Sequence, residues 1–133
     1  GIKKILLPVD NTLQSSKKVF TAAQIAETFG SYVQVLALHT SSLGSLKRQV
    51  DKQLGLVSEH LEKHGIEFST EQINTTNITQ DTIEFATKNK VDLIAIMTEQ
   101  ETTQANVFLG TFARQLVNNC PVPVLSVREP AGK

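Results

Sequence analysis

The chain has 133 residues, 40% of them hydrophobic, and its 13 Lys plus Arg balance 13 Asp plus Glu. That length suits a single domain with one packed core. A formal charge of zero leaves no basic footprint for nucleic acid or an anionic membrane, and no apolar run is long enough to cross a bilayer.

Lys3–Val9 is a run of β-branched and leucine residues that closes on Pro8-Val9-Asp10, which reads as a buried strand leading into a loop. Across Ser15–Phe29 the apolar residues Val19, Ala22, Ala23, Ala26 and Phe29 fall on one helical face, and Gly30 stands where a left-handed residue ends a helix. Tyr32–Leu38 is a second strand. Leu46, Val50, Leu54, Val57 and Leu61 form the stripe of a second helix that Gly65 closes. Ile66–Ile73 alternates loosely, as a third strand does. Asn77 followed by Gln80 predicts a capping box for a helix running to about Lys90. Val91–Met97 is a strongly apolar fourth strand. Gly110–Asn119 is a short helix carrying Phe112, Leu116 and Val117, and Pro121 stops it. Val122–Val127 is the last strand, and Pro123 within it favours a sheet edge, where a missing N–H is tolerated.

Strands alternate with helices throughout. The expected fold is therefore α/β, a five-stranded parallel sheet with helices on both faces. One domain is expected over residues 1–133, alone or as one half of a tandem parent chain. No signal-peptide pattern stands at the start, and the single Cys120 cannot make an internal disulfide, so a reducing, cytoplasmic setting is expected.

In an open parallel sheet, ligands bind beyond the carboxyl ends of the strands, where strand order reverses. Pro8-Val9-Asp10, His39-Thr40 and the stretch from Met97 to Thr111 should meet there. Asp10 is either an acceptor for a base or sugar or a turn carboxylate. Gly110-Thr111 opens the last helix, and its free N–H groups either attract an anion or simply make a tight join. The stretch between is hostile to phosphate: no glycine occurs from Thr98 to Leu109, and Glu99 and Glu101 add negative charge. Two like charges ~4 Å apart repel by roughly 4 kcal/mol at an effective dielectric of about 20. A helix N-terminus returns only ~0.3–1 kcal/mol per charge. Carboxylates pointing inward would therefore reject a triphosphate; pointing outward, they are screened. Thr102 and Thr103 could still donate to a neutral polar ligand.

Other constellations are weaker. His60 and His64 have a metal-capable helical spacing, but Leu61-Glu62-Lys63 between them is not the zinc-protease pattern and no third ligand is evident, so the pair reads as a solvated helix face. His39 reads as packed or hydrogen-bonded, and Cys120 as a small buried hydrophobe. The Gly-x-Ser-x-Gly elbow, the dinucleotide glycine fingerprint and the P-loop are all absent, so no enzyme is expected.

The start Lys3-Lys4-Ile5-Leu6-Leu7-Pro8-Val9-Asp10, the strand Val91-Asp92-Leu93-Ile94-Ala95-Ile96-Met97 and the end Gly110-Thr111 with Pro121-Val122-Pro123-Val124-Leu125-Ser126-Val127 together resemble the universal stress protein family over essentially the whole chain. The resemblance implies that family's Rossmann-like fold. It also implies dimerisation through the last strands, which would put Val122, Val124 and Val127 near the contact, or pairing with a second similar domain. ATP-binding members carry Gly-x-x-Gly, then nine residues, then Gly followed by Ser or Thr. Here only Gly110-Thr111 survives: the first glycine falls at Thr98, the second near Glu101, and the spacing is one residue short. The base-side positions map to Pro8, Asp10 and Thr40, of which the first two match the motif. With Met97, Gly110 and Thr111 they would form a residual nucleotide site. The chain thus resembles the branch without ATP: a non-enzymatic module of the bacterial stress response with no cofactor. The alternative is an ATP- or ADP-binding switch using a degenerate site. A phosphoacceptor receiver would need an acidic pair after the first strand, a central Asp and a late Lys. A nucleotide pyrophosphatase would need Ser-Gly-Gly where Asn11-Thr12-Leu13 stands.

Overall fold

The structure, a computed structural model, describes residues 1–11, 19–98, 115–116 and 118–128, with the backbone alone for 97–98 and 126–128. The elements in chain order are β1 (Lys4–Val9), α1 (Val19–Phe29), β2 (Tyr32–His39), α2 (Gly44–Lys63), β3 (Phe68–Asn74), α3 (Ile78–Lys88), β4 (Leu93–Thr98) and β5 (Val124–Arg128). Gln115, Leu116, Asn118 and Asn119 are also helical. The strands form one five-stranded sheet in the order β3-β2-β1-β4-β5, and every pairing is parallel. This is the expected fold.

Alternation along the strands builds two cores. Ile5, Leu7, Val9, Val33, Val35, Leu93 and Ala95 face Val19, Ala22, Ala23 and Ala26 of α1 and Val57 and Leu61 of α2. Leu6, Leu36, Leu38, Ile94 and Ile96 face the other way, against Ala86 of α3 and Leu116. Both faces of β1 and β4 are covered, which is why their sequences read as unbroken apolar runs rather than alternating ones. Fully burying one such side chain contributes ~1.5–3 kcal/mol.

The helix ends explain where element boundaries depart from expectation. Gly30 (φ +66°) and Gly65 (φ +68°) take the left-handed conformation, and the following residues close the helices: Ser31 N–H donates to Ala26 O at 2.8 Å and Ile66 N–H to Leu61 O at 3.0 Å. Ile66 is thereby committed to closing α2, and β3 starts at Phe68 instead. α3 ends the same way without a glycine. Lys90 sits at φ 54°, and Val91 N–H donates to Ala86 O at 3.1 Å. The helix therefore stops at Lys88, and β4 begins at Leu93 rather than Val91. Pro123 precedes β5 rather than lying within it, its carbonyl accepting from Ile94 N–H at 3.0 Å, yet β5 is at the sheet edge as expected. Only half the capping box forms. Asn77 Oδ1 accepts from Gln80 N–H at 3.0 Å, but Asn77 N–H goes to Thr75 Oγ1 and Gln80 Nε2 to Glu84. The expected first turn of α1 before Val19 and the start of the last helix at Gly110 lie outside the described residues.

Candidate functional site

Strand order runs outward from β1 through β2 to β3, then returns to the other side of β1 for β4 and β5. The reversal therefore lies between β1 and β4. Their ladder pairs only Ile5 with Leu93 and Leu6 with Ile94. The reason lies in the sequence. Lys3 O accepts from Tyr32 N–H, so Lys3 points to β2; Lys4 O accepts from Asp92 N–H, so Lys4 points to the β4 side. Alternation then turns Leu6 and Pro8 toward β4. Pro8 has no N–H to give, so the ladder ends before it. A proline in an interior strand weakens the sheet. Here it sits beside the strand-order reversal.

The carboxyl end of the sheet at this reversal carries buried Pro8, half-buried Asp10 just past β1, and the backbone of Met97 near the end of β4, where it pairs with Val127. Exposed Thr40 follows β2, on the far side of β1 from β4. Gly110 and Thr111, like Glu99 and Glu101, lie outside the described residues.

His39, at the end of β2, is buried. Its Nε2 donates to Gln72 Oε1 at 2.8 Å, while Nδ1 has no hydrogen-bond partner. Gln72 pairs with Ala37 in the β2–β3 register, so both side chains share the face under α1 and α2. This agrees with a hydrogen-bonded histidine. The Gln72 partner was not foreseen, because the contact joins residues 33 apart in sequence through a strand register.

At the opposite end of the sheet, Asp92 Oδ2 accepts from the N–H groups of Lys3 and Lys4 at 2.9 and 3.0 Å. Those two bonds hold its carboxyl below the usual carboxylate range. On α2, His64 N–H donates to His60 O at 3.2 Å, so the helical turn between them is intact, and their ring centroids stand 4.3 Å apart. Phe20 of α1 packs against His60 with centroids 4.5 Å apart. Burial, then His64 and Lys63, push the His60 imidazole down from its ordinary value, and Glu27 of α1 opposes them. Among the described residues no three His, Cys, Asp or Glu side chains form a ready-made metal set. Cys120 is half-buried against the α3 side of the core. Val122 and Val124 are half-buried against the same core, and among the described residues β5 has a strand neighbour on one side only. No described helix is long and apolar enough to cross a membrane.

A parallel sheet, helices on both faces and a strand order that reverses between β1 and β4 define a doubly wound α/β domain, a class in which ligands bind beyond the strand ends. The chain belongs to the universal stress protein family, whose family model matches residues 1–128. A universal stress protein of Methanocaldococcus jannaschii is 29% identical over 142 aligned residues, covering 96% of this chain and 83% of that protein. Among solved structures, a universal stress protein of Archaeoglobus fulgidus in complex with dAMP superposes with a TM-score of 0.73 at 17% identity, over 95% of this chain and 97% of its own. An Arabidopsis thaliana member of the family with AMP bound gives a TM-score of 0.73 at 11% identity, over 98% and 94%.

Proposed function

We propose that this chain is a non-enzymatic, cytoplasmic regulatory module of the stress response, that it works by pairing with a second copy or a second similar domain, and that it does not hold ATP. The observation that carries the reading is Glu99-Gln100-Glu101, which follows β4 directly at the strand-order reversal. A triphosphate there would meet two carboxylates and no glycine before Gly110. The edge position of β5 supports the pairing half of the reading, because an edge strand is a template for another strand. Val122, Val124 and Val127 are the contact residues in this reading.

A second reading has its own support. A site at the strand-order reversal beside Pro8 needs no glycine loop, and two proteins of the same fold hold AMP and dAMP. In this reading Pro8, Asp10, Thr40 and Met97 border an adenosine, and Gly110-Thr111, where the sequence predicts a helix to open, takes a single phosphate. Calorimetric titration with ATP, ADP and AMP tests both. Silence from all three nucleotides supports the pairing module. AMP binding more tightly than ATP supports the degenerate nucleotide site. Submillimolar ATP affinity would overturn the first reading.

A further inference from the structure

From the arrangement of α1 and α2 we infer that His60 and His64 form a two-point chelate for a divalent late first-row metal ion such as Zn²⁺ or Ni²⁺, braced from α1 by Phe20 and faced by Glu27. The sequence alone left this pair as a solvated helix face for want of a third group. The structure adds three things to the spacing. The α2 backbone between the two residues is a regular helical turn, closed by His64 N–H on His60 O at 3.2 Å, so both rings leave the helix on the same side. The rings are already neighbours, with centroids 4.3 Å apart and planes tilted by 42°. Phe20 packs edge-on to His60, with an interplanar angle of 70°, and restricts the ring whose placement matters most.

The geometry suits a shared ion. Zn–N bonds of ~2.0–2.1 Å at tetrahedral angles put the two ligating nitrogens about 3.3 Å apart. Rings this close reach that span by turning about their side-chain torsions, without moving the helix. Imidazole is a preferred ligand for zinc, copper and nickel. The ligand must be the neutral ring. Glu27 lies within electrostatic reach of His60 and shares with His64 a cleft of about 260 Å³ between the ends of α1 and α2. Its carboxylate offsets the ion's charge from the facing helix. Among the described residues, Lys63 acts on His60 as a cation and opposes binding, and Glu27 acts in the other direction. The described residues supply no pre-set third donor, so water completes the coordination. Binding would staple the last turn of α2 to the residue that caps it, at the end of the sheet opposite the carboxyl ends of the strands.

Calorimetry with Zn²⁺, and separately with Ni²⁺, tests the site on the intact chain. One ion per chain is expected, with the melting temperature rising as the ion is added. Exposed His64 is the safer position to change: His64→Gln should keep the wild-type melting temperature without metal and weaken binding by about tenfold or more. His60→Gln should do the same to binding, whatever it does to packing against Phe20. Binding should fade as pH falls below the ordinary imidazole range. No saturable heat from either ion at millimolar concentration, or wild-type affinity in His64→Gln, would overturn the inference.

Discussion

Asp92 shows how one exposed carboxylate sets the register of two strands. Its side chain takes the first two amides of the strand-one region, its own N–H reaches Lys4 O at 2.8 Å, and Lys4 Nζ reaches Asn89 O at 2.8 Å. The amides stabilise the ionised form, so the folded pKa lies below the ordinary value of 3.8. The contribution is complete above that value and is lost as pH falls through the lower folded pKa. Asp92→Ala should therefore melt earlier than wild type at neutral pH, and the two melting temperatures should converge in strong acid, read by circular dichroism. Thr82 is the converse case. It is fully buried on α3, and its hydroxyl has no partner. Such a group costs about 1–3 kcal/mol, and valine has the same shape without it. Thr82→Val should raise stability by roughly 1 kcal/mol in urea titration. Neither residue stood out in the sequence, because each owes its meaning to partners supplied by folding. Gly30 and Gly65 did stand out, since the left-handed backbone they adopt is written into their chemistry. Lys90 adopts the same conformation with no such mark, and the end of α3 was misplaced by two residues for that reason.

Among the elements, β1 and β4 were readable because both of their faces are covered and their runs are apolar throughout. β3 was the least regular. It is an edge strand with Thr70, Glu71, Gln72 and Asn74 all exposed, so its pattern announces neither face nor start. The strand ends that carry Pro8, Asp10, Thr40 and Met97 were readable to the same degree as the strands themselves. The early end of the β1–β4 ladder was not readable, because it depends on which way Pro8 turns its missing N–H. The packing of α1 on α2 was equally hidden, since Phe20 meets His60 only through the fold. That contact carries a pH dependence. The neutral His60 ring is favoured in the folded state, so the unfolded chain takes up the proton first as pH falls below 6.5. Stability from this group is complete above that pH and declines below it, through the lower folded pKa. His60→Gln should flatten this limb of the melting-temperature profile between neutral pH and the onset of carboxylate titration, leaving the acid limb governed by Asp92 in place.

At the scale of the whole sheet, the described residues leave two edge strands, β3 and β5, and they differ in kind. β3 presents polar side chains, including a charged Glu71, which discourages strand pairing. β5 is short and begins in Val124-Leu125, with half-buried Val122 ahead of it. Pairing of two copies through β5 would continue the core on the α3 side across the junction, since Val122 and Val124 already pack on that core. The backbone says which group would mediate it. Pro123 O points to β4, where it accepts from Ile94, so alternation turns Leu125 and Val127 inward and Val124 and Ser126 outward. Ser126→Pro removes an outward N–H while sparing the β4–β5 ladder, because proline is tolerated on the open side of an edge strand. In sedimentation equilibrium the wild type should show a concentration-dependent dimer. Ser126→Pro should shift it toward monomer, with little change in the urea midpoint measured at low concentration. A variant that remains as dimeric as wild type would place the contact elsewhere than the β5 edge, and a wild type that is monomeric at every concentration would remove self-pairing from the proposed function altogether.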